Sequence, residues 1–184
     1  MEEERDKIER ILIRGTNWIG DAIMGTPAMQ RLRSSFPHAR ITLLASGRTT
    51  ALFEDSPLCD EVIAYRRRAE NPSAFIEMVK SLRARRFDLA VLFQNAFEAA
   101  LVSFLGGARL RIGYAEQCRG LFLTHKLQRG SGHRNRHQIR DYLDIITECE
   151  RVCLGENFKA NNADPAPFLS ASARQKEAAL ALLE

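Results

Sequence analysis

The stretch I-L-I-R-G-T-N-W-I-G-D-A-I-M-G, residues 11–25, joins a short apolar run to a glycine-containing turn and the start of a helical pattern. Gly15 and Gly20 have the G-x-x-x-x-G spacing of a phosphate-binding loop, but Asp21 follows where that motif has lysine. Gly25 comes five residues later, so the spacing also differs from the G-x-G-x-x-G of dinucleotide-binding turns. The stretch therefore predicts a strand–turn–helix unit that presents a carboxylate where related turns bind an anion.

Outward from this unit, short apolar runs alternate with helical patterns. We predict strands at residues 11–13, 41–45, 61–65, 89–93 and 110–113, and helices at residues 22–35, 48–53, 72–86, 96–105 and 138–152. Alternating strands and helices indicate right-handed crossovers and a doubly wound parallel α/β sheet, that is, a Rossmann-like domain. Ligands of such sheets bind beyond the carboxyl ends of the strands, where Asp21 is expected to lie. Residues 119–133 are expected to loop over the same edge.

The length and the distribution of polar residues predict one domain and the start of a second. Residues 157–167, N-F-K-A-N-N-A-D-P-A-P, are polar and contain two prolines, as is typical of an interdomain linker. We therefore expect a domain over residues 1–156, with residues 157–184 forming a linker and the start of a truncated second domain.

Composition excludes several classes of protein. The polar start M-E-E-E-R-D-K-I-E-R is unlike a secretory signal, and no run approaches the ~20 apolar residues of a membrane span, so a cytoplasmic location is expected. The four cysteines lack a C-x-x-C pair, which favours reduced thiols over a metal site. The net charge of +4 comes with clustered arginines, which either are solvated or bind an anionic partner. These clusters lack interleaved aromatic residues, so nucleic acid is not expected as a partner.

Two residues of the turn have alternative interpretations. Asp21 either caps the helix that follows it or serves as a general base that takes a proton from a hydroxyl nucleophile. Trp18, the only tryptophan, either anchors the loop on the sheet or forms an apolar wall beside a ligand such as a sugar ring. The local sequence leaves both questions open.

Several blocks, in one order over about residues 11–150, resemble the lipopolysaccharide heptosyltransferases, and among them heptosyltransferase II most. The blocks are N-W-I-G-D-A-I-M-G-T-P-A (17–28), Q-N-A-F-E-A-A-L (94–101), R-I-G-Y (111–114) followed by R-G-L-F-L-T (119–124), and H-Q-x-x-x-Y (137–142). The resemblance implies the N-terminal, acceptor-binding half of a GT-B glycosyltransferase. It also implies inverting transfer of heptose from ADP-heptose to the lipopolysaccharide inner core, with Asp21 as the catalytic base.

The resemblance further implies an acceptor of Kdo-lipid A carrying heptose, reached by peripheral contact with the inner face of the cytoplasmic membrane. The donor is expected to bind a C-terminal half beyond this chain, which would be inactive alone and hold no cofactor or metal. The candidate acceptor contacts are Thr16, Asn17, Trp18, Gly20, Arg68, Asn95, Arg111, Arg119 and His137. Thr16 and Asn95 could equally brace the loops, and His137 could equally be structural. The alternative function is a non-catalytic, flavodoxin-like α/β module that binds an anionic partner.

Overall fold

A computed structural model of the chain describes residues 8–67, 70–129, 136–155, 158 and 166–169. Within these residues, six parallel strands form one sheet in the order β3-β2-β1-β4-β5-β6. The strands are β1 Arg10–Arg14, β2 Arg40–Ala45, β3 Glu61–Ala64, β4 Leu89–Leu92, β5 Leu110–Tyr114 and β6 His125–Leu127. This is the strand order of the Rossmann fold, which confirms the predicted doubly wound parallel sheet. The flavodoxin-like order is 2-1-3-4-5, so that alternative is wrong about the topology.

Helices cover both faces of the sheet. They are α1 Ile19–Ser35, α2 Pro72–Ala84, α3 Phe97–Leu105 and α4 Gln138–Leu154, with short 3₁₀ turns at Thr50–Leu52 and Arg119–Phe122. Side chains of α1 and α4 share one buried cluster with alternate residues of the central strands, and side chains of α2 and α3 share a second cluster with the other residues. Burial on both faces explains why the strands are continuous apolar runs without polar alternation.

The central strand β1 illustrates this arrangement. Ile11 and Ile13 lie in the cluster of α1 and α4, whereas Leu12 lies in the cluster of α2 and α3. All three side chains are fully buried because successive residues of a strand point to opposite faces. The next residue, Arg14, ends the strand at its carboxyl edge, directly beneath the turn that leads to α1.

Three expectations differ from the observed elements. The helix predicted at 22–35 begins at Ile19, since Trp18 occupies the N-cap position without a side-chain cap and so leaves no capping signal in the sequence. The helix predicted at 48–53 is only a 3₁₀ turn, Thr50–Leu52. Within residues 119–133, predicted as a loop, the structure contains a 3₁₀ turn and strand β6. Three residues at the sheet edge, paired through their backbone with β5, are too few to produce a hydrophobic period.

The described part of the segment after α4 lies against α1. The backbone N–H of Phe168 donates to Oγ1 of Thr26 at 2.9 Å, and Nε2 of Gln30 donates to the carbonyl of Ala166 at 3.4 Å. The proposed boundary at residue 156 lies outside the described residues, so the division into domains stays a prediction. No helix in the described ranges has both the length and the apolarity needed to cross a bilayer.

Candidate functional site

The turn between β1 and α1 is held by the neighbouring strand end. The backbone N–H of Gly15 donates to the carbonyl of Leu44 at 3.0 Å, and a Cβ on Gly15 would lie only 3.0 Å from Cδ1 of Leu43. Oγ1 of Thr49 donates to the carbonyl of Thr16 at 3.4 Å. Thr16 itself is buried, and its hydroxyl is directed at the carbonyl of Trp18, 3.5 Å away. These contacts favour the bracing interpretation of Thr16 over direct contact with a ligand.

A buried arginine supports the turn from below. Arg14 is only 2% exposed, and its guanidinium donates to the carbonyl of Gly15 and to Oδ1 of Asn17, the latter at 3.3 Å. The same guanidinium lies 4.0 Å from the centre of the Tyr65 ring, close enough for a cation–π contact. Burial lowers the pKa of Arg14 to about 10, so it remains charged near neutral pH. The sequence analysis missed this residue, although an arginine at the end of an apolar strand was visible in I-L-I-R.

Asp21 is the third residue of α1 and is half-buried at the carboxyl edge of the sheet. It borders a narrow recess lined by Thr16, Ala22, Leu43 and Phe93, among other residues. Within the described part of the chain, its carboxylate has no hydrogen bond or ion pair. Because the N-cap is Trp18, the capping interpretation of Asp21 is wrong, although the positive end of the helix dipole still favours a carboxylate in this first turn.

Helix α4 forms the neighbouring wall. The ring of Tyr142 lies 4.9 Å from that of Phe93, and its hydroxyl accepts a hydrogen bond from Nε2 of Gln138 at 2.7 Å. Burial first, and then the charge of Asp21, raise the pKa of Tyr142 above the range of neutral solution. Tyr142 therefore stays protonated and does not compete with the carboxylate as a base.

Trp18 and Gly20 lie on the open side of the turn. Trp18 is 66% exposed, with the Arg48 guanidinium 5.9 Å from its ring centre, so it does not anchor the loop in the core. Gly20 is also exposed, and a Cβ there would meet no atom within 4 Å. The first turn of α1 thus presents an aromatic ring and unobstructed space beside Asp21.

Asn95 follows β4 at the same edge and is joined to Arg119. Nη2 of Arg119 donates to Oδ1 of Asn95 at 2.7 Å, and Nη1 and Nε donate to the carbonyls of Gln94 and Tyr114. Arg119 is fully buried, so in this structure it cannot meet an acceptor at the surface. The expectation of direct contact by Arg119 is therefore corrected, since its donors are used beneath the edge.

Three other candidates do not join this group. Arg111 lies near the amino end of β5, where its guanidinium donates to the carbonyls of Phe122 and Ala108, which corrects its assignment to the ligand edge. His137 is the N-cap of α4, and its Nδ1 accepts from the backbone N–H of Ile139 at 3.3 Å, as the structural alternative expected. Arg68 lies outside the described residues.

The cysteines and other potential ligands show no metal-binding arrangement in the described ranges. All four cysteines are free thiols, and no three His, Cys, Asp or Glu side chains described by the structure are grouped to hold a metal ion. Among the described residues, the carboxyl edge offers the Asp21 carboxylate, the Asn95 amide and exposed cations such as Arg48.

Fold and site together define a Rossmann-like α/β domain whose ligand edge has no glycine-rich phosphate loop and carries a carboxylate that no other described residue pairs with. The family model described as glycosyltransferase family 9 (heptosyltransferase) matches residues 75–184. The chain belongs to glycosyltransferase family 9.

Curated relatives are similar over part of their length. The chain is 30% identical over 112 residues to lipopolysaccharide heptosyltransferase 2 of Escherichia coli, which covers 60% of this chain and 32% of that protein. It is 29% identical over 139 residues to lipooligosaccharide heptosyltransferase 2 of Campylobacter jejuni, which covers 74% of this chain and 38% of that protein. The chain thus spans about a third to two fifths of the length of these relatives.

Solved structures share the fold. ADP-heptose lps heptosyltransferase II of E. coli superposes with a TM-score of 0.72 at 20% identity, over 95% of this chain and 50% of that one. A glycosyl transferase of family 9 from Veillonella parvula superposes with a TM-score of 0.76 at 18% identity, over 94% of this chain and 48% of that one. The chain therefore has the fold of one α/β half of these GT-B proteins.

Proposed function

We propose that this chain is the acceptor-binding half of an inverting glycosyltransferase that moves heptose from ADP-heptose to the lipopolysaccharide inner core. Family membership and the names of the similar proteins support the heptosyl transfer. The observation that carries the chemistry is Asp21, an unpaired carboxylate beside an open first helical turn at the ligand edge of the sheet.

In this proposal Asp21 is the general base. An acceptor hydroxyl within hydrogen-bond reach of its carboxylate gives up its proton to Asp21 as the hydroxyl oxygen attacks the anomeric carbon of heptose. The new carbon–oxygen bond forms as the bond to ADP breaks, and the leaving ADP takes the electron pair. One displacement inverts the anomeric carbon and needs no second carboxylate as nucleophile. The charge that develops on ADP is stabilised by donors outside this chain.

The exposed groups around Asp21 suit a sugar acceptor that carries carboxylates and phosphates. Trp18 offers an aromatic face to a sugar ring. Arg48 follows β2, and Arg66 and Arg67 follow β3, so these exposed guanidinium groups lie at the carboxyl edge. Guanidinium groups bind carboxylate and phosphate in bidentate fashion, which supports an anionic acceptor such as Kdo-lipid A carrying heptose. Arg48 was not among the candidates from the sequence.

The coverage of the similar structures supports a division of the enzyme into two halves. We propose that residues 1–156 bind the acceptor and that residues 157–184 lead into a donor-binding half, which supplies the ADP-heptose site. The match to about half of each superposed structure supports this division. A lipid-linked acceptor further implies that the enzyme works in the cytoplasm against the inner face of the cytoplasmic membrane, through basic residues that meet anionic lipid.

Replacement of Asp21 by Asn tests the proposed base. Asparagine keeps the size of the side chain but cannot take the proton, so heptose transfer by the complete polypeptide is expected to fall about 100-fold or more while acceptor affinity is kept. Steady-state transfer from ADP-heptose and acceptor titration measure the two quantities. Asp55→Asn, at an exposed position after the Thr50–Leu52 turn, is the matched control and is expected to retain wild-type turnover. Near-normal turnover of Asp21→Asn would contradict the base role.

A further inference from the structure

Arg119, in the block R-G at residues 119–120, is an arginine whose side chain is buried away from solvent. Arg119 is fully buried, and its guanidinium reaches three oxygens, namely the carbonyls of Tyr114 and Gln94 and Oδ1 of Asn95. Burial lowers the pKa of Arg119 to about 10, so the group is still a cation near neutral pH. A guanidinium can only donate hydrogen bonds, and it therefore requires that Asn95 present its oxygen inward.

The backbone around Arg119 leaves space for its side chain. A Cβ on Gly113 would lie 3.0 Å from Cβ of Leu92 and 3.4 Å from Nη2 of Arg119, so glycine leaves room on β5 for the guanidinium. Gln117 and Cys118 both have positive φ, 50° and 60°, in the turn that leads into Arg119. Left-handed backbone conformations are strained for residues other than glycine, and the buried hydrogen bonds of Arg119 help to offset this strain.

The hydrogen bond from Arg119 to Oδ1 of Asn95 determines which way the amide nitrogen of Asn95 points. With Oδ1 bonded to Arg119, the amide Nδ2 is the atom that faces away from the guanidinium, and no described group accepts a hydrogen bond from it. Asn95 is half-buried at the ligand edge, next to the end of β1, because the backbone N–H groups of Phe93 and Gln94 both donate to the carbonyl of Arg14. The free amide hydrogens thus lie on the same edge as Asp21.

We propose that Arg119 is a positioning residue that holds Asn95 in one orientation, so that Nδ2 of Asn95 donates a hydrogen bond to an oxyanion of the acceptor. This inference rests on the proposed function and specifies that the acceptor site offers a hydrogen-bond donor at this position. Nδ2 can pair with an oxygen of a carboxylate or a phosphate, and it disfavours a ligand group that can only donate a hydrogen bond. Asn95 then contributes to acceptor affinity and not to the proton transfer at Asp21.

The decisive variant is Asn95→Asp. Its carboxylate has the same shape and keeps the contact with Arg119, now as a charge-assisted hydrogen bond, so thermal stability is expected to stay at or above that of wild type. The outward atom becomes an oxygen that cannot donate and that repels an oxyanion. Acceptor affinity, and with it KM, is expected to worsen about 10-fold or more, while kcat at saturation changes less than about 3-fold. If Asn95 served only to hold Arg119, Asn95→Asp would keep both the stability and the acceptor affinity of the wild type.

Two further variants make the test specific. Asn95→Ala removes the donor and also an acceptor for Arg119, so both affinity and melting temperature are expected to fall. Gln30→Glu makes the same amide-to-carboxylate change on α1, nine residues beyond Asp21 and toward the opposite end of the helix, and is expected to leave affinity unchanged. The binding probe is de-O-acylated Kdo-lipid A carrying one heptose, titrated into this chain, and kcat and KM are measured on the complete polypeptide.

The outcomes separate the two proposals. Wild-type binding and transfer together with weakened binding by Asn95→Asp support the inference. Wild-type affinity in Asn95→Asp would overturn the inference and leave the proposed function intact, whereas failure of the wild-type protein to bind or transfer would overturn both. Repeating the titration with dephosphorylated acceptor identifies the oxyanion: the effect of Asn95→Asp disappears if Nδ2 binds a phosphate and persists if it binds a carboxylate.

Discussion

Arg14 ends the central strand and places a cation in a buried position. Its guanidinium satisfies the carbonyl of Gly15, approaches that of Leu44 at 3.4 Å and holds Oδ1 of Asn17. The β1–α1 turn is therefore fixed by contacts that a helix or strand ladder could not supply. Because Asp21 follows this turn, the position of its carboxylate depends on Arg14.

Replacement of Arg14 by Met is expected to lower the free energy of unfolding by about 3 kcal/mol, because carbonyls beneath the turn lose their donor in a buried position. Chemical denaturation measures this loss. Arg14→Lys keeps the charge but not the planar fork, and should be intermediate. Arg66→Met, at an exposed position, is the control and should change stability by less than about 0.5 kcal/mol. Equal stability of Arg14→Met and wild type would contradict this role.

At the scale of elements, α1 and α4 are joined by a buried ion pair. The carboxylate of Glu150 accepts from Nε and Nη2 of Arg31 at 3.0 and 2.6 Å and from the hydroxyl of Ser35 at 2.6 Å. Glu150 is 3% exposed, so removal of its carboxylate leaves the mostly buried guanidinium of Arg31 without its ion-pair partner. The same helix carries Glu148, paired with Arg151 one turn away at the surface.

We expect Glu150→Ala to cost about 2 kcal/mol or more and Glu148→Ala about 0.5 kcal/mol or less. The first change breaks a desolvated bidentate contact between helices, and the second breaks a solvated contact within one helix. Urea denaturation of the two single variants makes the comparison on one element. Equal losses from the two substitutions would be inconsistent with this difference in burial.

A second ion pair, between Glu61 of β3 and Arg85 at the end of α2, makes the stability of the fold depend on pH. The hydrogen bond from Arg85 holds the pKa of Glu61 below its ordinary value, with Nη2 of Arg85 2.6 Å from Oε1. Because the folded pKa is lowered, this contribution to stability is present above the unfolded pKa of about 4.3 and is lost as the pH falls through the folded pKa.

Glu61→Gln is therefore expected to melt below the wild-type temperature at about pH 7, and this difference should shrink as the pH falls below about 4. Melting temperatures of both proteins over this range provide the measurement. A difference that stays constant from neutral to acidic pH would show that the contact does not depend on the charge of Glu61.

At the scale of the whole molecule, the two ends of the sheet have different roles. The carboxyl edge gathers the turn of Asp21, the Asn95 amide and exposed arginines, whereas Arg111 at the amino edge is bonded to backbone carbonyls. The proposed function assigns the acceptor to the carboxyl edge and the donor to a further half of the enzyme. Binding and transfer should then be separable.

This chain alone is expected to bind the de-O-acylated acceptor with an affinity within about 10-fold of that of the complete polypeptide, and to transfer no heptose. Each half of a two-domain enzyme keeps its own contacts, but the displacement needs donor and base together. Calorimetric titration and a transfer assay on both proteins measure the two properties. Transfer by this chain at a rate comparable with the complete polypeptide would contradict the division between halves.

Much of the fold could be predicted because its strands are buried on both faces. Strands such as 41–45 and 89–93 were located to within a residue, since their side chains must be apolar whatever their neighbours. Strand β6 was missed because its pairing with β5 is made by backbone groups at the sheet edge, which select no side-chain pattern. The start of α1 was missed for a similar reason, because Trp18 caps it without a side-chain hydrogen bond.

The sequence by itself determined the class of the domain, the family resemblance and the position of Asp21 just after the turn that follows β1, because all three depend on local order along the chain. Only the tertiary structure decided what the arginines do. A guanidinium looks the same in sequence whether it is solvated or buried, and long-range packing alone placed Arg14 and Arg119 beneath the ligand edge and Arg111 at the opposite one. The side chains that hold the candidate site in place come from segments distant in sequence, and only the fold brings them together.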